Sequence, residues 1–244
     1  MNTIKKISNC CLGLIAILVL GASCSARVQG VLHQGGSAEL NLHASLEPRM
    51  AALIRSLSRL SGSSSPSEQV LNAAAIGKSM ASAPGIKSVA LRNSNPTTIE
   101  GTISILQVDA FLAVPGNGGT TNFIRYEQTN TGGKLQITLD RNSGPRILTL
   151  LSSDVQDYLS ALMAPVATGE NLSQREYLAL VQSVYGKAVA EEIAAARIQV
   201  TIDFPGSVST IRGGRFAGNQ AEFTIPLGDI LVLERPLVYE VSWK

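Results

Sequence analysis

Cysteine and histidine are scarce in this chain of 244 residues. The cysteines are Cys10, Cys11 and Cys24, and the first two lie in an apolar N-terminal run, so at most one remains for the folded part. A single cysteine forms no internal disulfide, and the two histidines, His33 and His43, are too few to complete a zinc set. We therefore predict no disulfide, no metal and no cofactor, and a fold stabilised by its apolar core.

Aromatic residues are also few, at 5% of the chain, and the excess of positive charge is small. The 20 Lys and Arg exceed the 18 Asp and Glu only because of Lys5 and Lys6, which precede the apolar run. Nucleic-acid binding needs a dense basic face or aromatic stacking platforms, so we predict no nucleic-acid partner. The run from Gly116 to Gly119 lacks the lysine of a phosphate loop, and no nucleophile elbow or dinucleotide pattern occurs, so we do not expect an enzyme.

The N-terminus has the layout of an export signal. Two lysines precede an apolar run of signal-peptide length that ends at Leu20, and Gly21-Ala22-Ser23-Cys24 follows. This junction resembles the lipobox of bacterial lipoproteins, with Gly21 where most members carry leucine, and such relaxed boxes are similar to those of spirochaetes. The resemblance implies that residues 1–23 are removed and that Cys24 carries acyl chains such as palmitate. An ordinary secretory signal with a chance cysteine and a retained anchor helix are the alternatives.

A lipid on Cys24 implies a location. The chain would be held to the cell membrane by its acyl chains, with the folded part facing the periplasm or the cell surface. The membrane is thus its expected partner, and the choice between inner and outer membrane stays open.

Residues 24–244 predict a single ectodomain of the α+β class. Apolar and polar residues alternate in several short segments joined by glycine-rich turns, the first being a hairpin around His33-Gln34-Gly35-Gly36. Links this short exclude crossover helices, so the sheet should be largely antiparallel. Apolar patterns of helical period between about residues 145 and 196 predict a helical section whose amphipathic helices pack on the sheet. The alternation returns after Arg197, so the last segment should be tied into the sheet.

A basic amphipathic helix is predicted after the first hairpin. Ser45 can cap it, Pro48 is tolerated in its first turn, and its apolar stripe consists of Leu46, Met50, Leu53, Ile54, Leu57 and Leu60. The other faces carry Arg49, Arg55 and Arg59. Such a helix can lie on an anionic membrane through its arginines, or it can simply pack its stripe into the core. The sequence leaves both interpretations open.

Two further helices are predicted in the helical section. The first has its stripe from Ile147 to Leu162, and the second follows the capping box Ser173-Gln174-Arg175-Glu176 with a stripe from Tyr177 to Ile193. The carboxylates on these helices are expected on solvated faces rather than in general acid–base work; they are Asp154, Asp157, Glu191 and Glu192.

A second resemblance lies near the C-terminus. Val200 to Val208 (VTIDFPGSV), followed by Gly213-Gly214 and Gly218-Asn219, resembles the end of the ectodomain in LppM-type bacterial lipoproteins. A leading cysteine, a hairpin, a helix and the Pro84-Gly85-Ile86 link fit the same layout. The resemblance implies an α+β ectodomain on a lipid anchor, no catalytic activity, and binding of envelope lipid or glycolipid. Taken by themselves, Phe204-Pro205-Gly206 predicts only a sharp turn at a strand end, and Gly218-Asn219 predicts a tight hairpin.

These observations predict a non-enzymatic envelope lipoprotein. Its helices and sheet could enclose an apolar groove for a lipid or glycolipid, although the same stripes are what an ordinary core requires. The alternative is a structural or adhesin-like interaction lipoprotein without a small-molecule site.

Overall fold

The computed structural model describes residues 24–60, 71–112, 123–144 and 153–244. Outside the described residues lie the predicted signal peptide, the loop at 116–119 and the predicted helix start at 147–152. The side chains of Cys24, Arg59 and Asp154 also lie outside them.

Within this part of the chain, strands and helices alternate in short groups. The strands are β1 (Cys24–Leu32), β2 (Ala38–Leu46), β3 (Ile86–Asn95), β4 (Thr98–Ile105), β5 (Ile124–Thr129), β6 (Gly132–Leu139), β7 (Arg197–Asp203), β8 (Val208–Arg212), β9 (Gly214–Ala217), β10 (Gln220–Pro226) and β11 (Leu237–Trp243). The helices are α1 (Pro48–Leu60), α2 (Ala73–Ala81), α3 (Val108–Leu112), α4 (Ser153–Ala161), α5 (Pro165–Thr168), α6 (Gln174–Tyr185), α7 (Lys187–Ala195) and α8 (Leu227–Val232).

The strands form two sheets. The large sheet has seven strands in the order β3-β4-β2-β1-β7-β10-β9, and the small sheet has four in the order β5-β6-β11-β8. The described pairs are antiparallel except β1 with β7, which are parallel and are joined by the long connection that contains the helical section. The predicted α+β class with a largely antiparallel sheet is confirmed, whereas the division into two sheets was not predicted.

The large sheet buries one face and exposes the other. On β1, Ala26 and Val28 are buried while Arg27 and Gln29 between them are exposed, as the alternating pattern predicts. On β10 and β7 the buried positions are again apolar and include Ala221, Phe223 and Ile198. The core therefore lies on a single side of this sheet.

The helices differ from the sequence prediction at two places. Ser45 and Leu46 do not start the basic helix but finish β2, and α1 begins at Pro48. The predicted helix over 177–193 is two helices, because Gly186 separates α6 from α7 with φ 90° and ψ 160°. A residue with a Cβ rarely adopts that conformation, so this glycine sets the break.

The C-terminal strands connect the two sheets. The chain leaves β8 in the small sheet and enters β9 in the large sheet at Gly213, whose φ is 79°. Gly218, with φ 62°, then makes the predicted tight turn into β10. The prediction that the last segment is tied into a sheet is confirmed, since β11 lies between β6 and β8. The short helix α8 between β10 and β11 was not predicted.

Candidate functional site

Cys24 is the first residue of β1, the central strand of the large sheet. It pairs with Leu46 on β2. The next residue, Ser25, pairs with Ser45 on β2 and with Arg197 on β7, so its backbone is held in the sheet on both sides. The predicted lipidation site is therefore continuous with the folded domain.

Cys24 lies at one end of the large sheet, in line with the ends of the neighbouring strands. The pairings of Ser45 with Thr98 and of Thr98 with Asn95 extend this end toward β3, and the pairing of Arg197 with Pro226 extends it toward β10. We call this end the anchor rim; its residues are Cys24, Leu46, Asn95, Thr98, Arg197 and Pro226.

The helix α1 starts at the anchor rim, where a carboxylate caps it. The backbone N–H of Arg49 donates to Glu192 Oε1 at 3.2 Å, and that of Met50 donates to Glu192 Oε2 at 2.9 Å. These two donors belong to the first turn of α1, which has no partners for them within the helix. Glu192 on α7 thus joins α1 to α7, and the expectation that it is merely solvated is wrong. Its neighbour Glu191 is exposed and pairs with Lys187 at 3.5 Å.

The basic helix buries its apolar side in the protein. Met50, Ala51 and Ile54 are buried, and the helix contacts α7 and α4. Arg49 and Arg55 are exposed, while Leu53 and Leu57 of the predicted stripe are half-buried. Met50 and Ile54 direct the stripe toward the core, as one of the two sequence interpretations expected, while membrane contact by the arginines stays a prediction.

A surface cavity of about 360 Å³ lies between α6, α8 and the start of β11. Four of its six lining residues are polar; the set is Gln174, Asp229, Val232, Glu234, Arg235 and Leu237. An apolar groove was predicted, whereas this cavity is polar. It suits a charged or hydroxylated group better than an acyl chain.

The N-terminus of α6 forms one wall of the cavity. The predicted capping box is present, with Ser173 and Glu176 bonding each other's backbone N–H groups. These bonds, the backbone bond first and the Ser173 hydroxyl second, hold the pKa of Glu176 below its usual value. A further N–H of the first turn, from Gln174, donates to Glu234 Oε2 at 2.9 Å. A bound anion would therefore meet the carboxylates of Glu176 and Glu234 at this helix start.

The opposite wall depends on α8 and the residue that ends it. A Cβ at Gly228 would lie 2.4 Å from Gln174 Nε2, so the Gln174 side chain would have to move to admit a larger residue where α8 meets α6. Leu233 ends α8 with φ 48°, and its carbonyl accepts from Arg141 Nε at 3.1 Å. Arg141 also donates to the carbonyl of Leu172 at 2.8 Å. None of these residues was predicted from the sequence, since only the capping box gives a local signal.

Burial strongly raises the pKa values of three tyrosines, Tyr126, Tyr177 and Tyr239. Burial, and secondarily the charge of Asp229, raises the pKa of Tyr239 to about 12. Burial, and secondarily Asp109, raises the pKa of Tyr126 to about 12. Asp229 therefore lines the cavity and also acts electrostatically on Tyr239, which belongs to β11 of the small sheet.

The histidines do not converge. His43 Nδ1 lies 3.8 Å from Glu100, which is also paired with Arg92 at 2.6 Å, while His33 lies in the first turn. The described ranges hold no group of three or more His, Cys, Asp or Glu that could bind a metal ion. No helix among the described residues is long and apolar enough to cross a membrane.

The C-terminal motif has a structural role. The Phe204 N–H donates to the Asn219 carbonyl at 2.8 Å, and Asn219 Nδ2 returns a bond to the Phe204 carbonyl at 3.2 Å. The Phe204 ring is buried and lies 4.6 Å from the ring of Trp243. Phe204-Pro205-Gly206 and Gly218-Asn219 therefore form one corner of the fold, at the end of the large sheet opposite the anchor rim.

Comparisons with known proteins give a distant structural likeness. No family model and no curated protein matches the chain. The chain is similar to the NMR structure of the folded domain of the LppM protein of Mycobacterium tuberculosis, with a TM-score of 0.38 and 8% identity over 91% of this chain and 90% of that one. The match is distant, and no residue role is transferred with it.

Proposed function

We propose that this chain is an envelope lipoprotein, held to a bacterial membrane by acyl chains on Cys24, whose domain faces the periplasm or the cell surface. The carrying observation is the position of the predicted lipidation site in the fold. The export signal predicts cleavage before Cys24, and Cys24 pairs with Leu46 on β2, so the residue that would carry the lipid belongs to the large sheet.

We further propose that the domain acts by binding and not by catalysis. Two of the four carboxylates considered for acid–base work have structural partners, because Glu192 caps α1 and Glu191 pairs with Lys187. Glu100 is likewise paired, with Arg92 and His43. A convergent catalytic group would instead need a free acid or base facing a cleft.

The ligand that best fits the domain is the polar part of an envelope lipid or glycolipid. The cavity between α6 and α8 combines acceptors at Asp229 and Glu234 with the cationic Arg235, beside the apolar Val232 and Leu237. Hydroxyl groups of a sugar can donate to the carboxylates while a phosphate meets the arginine. Mass spectrometry of lipids that copurify with the domain, with Arg235→Ala for comparison, tests this proposal; loss of a bound species in the variant supports it.

The second candidate is an interaction lipoprotein without a small-molecule site. It is favoured by the burial of the apolar stripes, since Met50, Tyr177, Val181 and Ile193 are fully enclosed by protein. A domain that copurifies with no lipid from native membranes would favour this candidate.

Replacing Cys24 tests the anchor. The variant Cys24→Ser should lose its lipid and leave the membrane fraction, because each buried CH₂ of an acyl chain contributes about 0.8 kcal/mol to membrane binding. Fractionation and intact-mass measurement report the result. The matched control is Cys10→Ser, which changes a cysteine inside the predicted signal and should leave anchoring intact. A Cys24→Ser protein that stays in the membrane with unchanged mass would refute the lipoprotein proposal.

Charge reversal tests membrane contact by α1. In the soluble domain, Glu at Arg49, Arg55 and Arg59 should weaken binding to anionic vesicles, and the effect should fade as salt is raised. Vesicle sedimentation measures the binding. Reversal of Arg125, Arg175 and Arg212, which are exposed and lie outside α1, changes the net charge equally and should have the smaller effect. Failure of the unmodified domain to bind anionic vesicles at low salt would exclude this contact.

A further inference from the structure

The proposed lipid attachment site, Cys24, is itself part of the large sheet, so no linker lies between the sheet and the lipid. Cys24 is already paired with Leu46, and Ser25 is held between β2 and β7. Ala26, two residues beyond Cys24, is 1% exposed and belongs to the core. Freeing these residues to act as a linker would break ladder hydrogen bonds on both sides of β1. A lipid on Cys24 therefore restrains the whole domain and not only its first residue.

The position of β1 in the sheet decides how this restraint acts. β1 is the fourth of seven strands, with three strands on either side. The acyl chains thus leave from the middle of the anchor rim and not from a corner. Exposed residues on the β2 side of Cys24, among them Glu47 and Ser94, lie at the same end of the sheet.

We infer that the domain stands on the membrane with its anchor rim against the phospholipid headgroups. This inference rests on the proposed lipidation of Cys24. The opposite end, with the turn at His33 to Ser37 and the Phe204 corner, points away from the bilayer. Eight residue steps separate Cys24 from Leu32 along β1, which at the rise of a β-strand places the two ends about 26 Å apart.

The orientation also locates the polar cavity near the headgroups. α8, which contributes Asp229 and Val232 to the cavity, begins at Leu227 directly after the rim residue Pro226. The Leu227 N–H donates to the carbonyl of Ala196 at 3.1 Å, which fixes this helix start at the rim. Because α8 has six residues, the whole helix lies within about 9 Å of the rim. In the inferred orientation, the cavity is therefore within reach of the headgroups of lipids in the same membrane.

Single introduced cysteines test the orientation. Lipidation consumes Cys24 and signal cleavage removes Cys10 and Cys11, so an added cysteine is the one free thiol of the mature chain. The positions are Ser94→Cys near the rim, Asn41→Cys at mid-sheet and Gln34→Cys at the far end, all exposed in the fold. Each lipidated variant is labelled with a fluorophore in phosphatidylcholine–phosphatidylglycerol vesicles that contain headgroup-linked nitroxide quencher.

The expected result is a gradient of quenching. The label at Ser94 should lose most of its fluorescence, the label at Asn41 less, and the label at Gln34 none. A flexible Gly-Ser segment of about 20 residues inserted between Cys24 and Ser25 has a reach of about 25 Å and should remove the gradient. Equal quenching at the three positions without the insertion, or the reverse order, would overturn the inference.

The parent protein separates this inference from the proposed function. Without an introduced cysteine it should take up no thiol label, because Cys24 is blocked by lipid. Labelling of the parent would mean that Cys24 is free and that the lipoprotein proposal itself fails. An unlabelled parent with no quenching gradient would leave the anchor intact and refute only the upright orientation.

Discussion

The cap that Glu192 supplies to α1 provides a sharp test of the fold. Its carboxylate accepts two first-turn N–H groups at 3.2 and 2.9 Å, and the first turn of α1 contains no acidic residue of its own. Losing a capping acceptor costs about 1 kcal/mol, and losing a negative charge at a helix N-terminus costs about 0.3–1 kcal/mol. We therefore expect Glu192→Ala to lower the free energy of unfolding by about 1–2 kcal/mol.

Two companion variants separate the contributions. Glu192→Gln keeps a carbonyl oxygen as acceptor but loses the charge, so its cost should be about half that of the alanine variant. Glu191→Ala removes the adjacent but exposed pair with Lys187 and should cost less than about 0.5 kcal/mol.

Urea unfolding of the soluble domain, lacking residues 1–23 and carrying Cys24→Ser, measures these differences. At about 2–4 °C of melting temperature per kcal/mol for a domain of this size, Glu192→Ala should also melt several degrees lower. Equal effects of the Glu191 and Glu192 alanine variants would refute the capping argument, because they would show that the Glu192 carboxylate is no more engaged than its exposed neighbour.

Two further predictions concern packing and pH. Gly133→Ala should destabilise the domain by about 1–3 kcal/mol, because a methyl group there would overlap the Trp243 ring, whereas Gly35→Ala meets no atom within 4 Å and should be nearly neutral in urea unfolding. The raised pKa values of Tyr126 and Tyr239, about 12 against 10.0, mean that folding favours the protonated phenols; their contribution to stability is present below pH 10 and is lost as pH rises from 10 toward 12. Tyrosinate absorbance of the folded domain should accordingly appear later than that of the unfolded chain, and coincident titrations would contradict the burial of these rings.

Local patterns were sufficient for most of the elements. The first hairpin, the strands on both sides of the Gly218 turn and the capping box at Ser173 were all predicted where the structure has them. Each depends on residues a few positions apart, because strand alternation, turn chemistry and helix capping are set by the nearest neighbours in the chain. At Gly186 the apolar pattern of helical period continues, so the sequence predicted one helix. The backbone conformation of this glycine instead divides the segment into α6 and α7.

The residues of the candidate site also differ in whether the sequence alone identifies them. Cys24 and the arginines of α1 could be identified from the sequence, since an export signal and a helical face are both readable locally. The polar cavity could not, because Gln174 meets Glu234 across 60 positions and Gly228 matters only through its contact with α6.

What the sequence by itself determined is the α+β class, the expected anchor at Cys24 and the positions of most strands and helices. What only the tertiary structure decided is the order of the strands, with β1 in the centre beside β7, and hence the surface that surrounds Cys24. The physical reason is that an alternating apolar pattern specifies which face of a strand is buried but not which neighbour buries it. That choice is made by packing between segments far apart in the chain, and the orientation proposed for the domain depends on it.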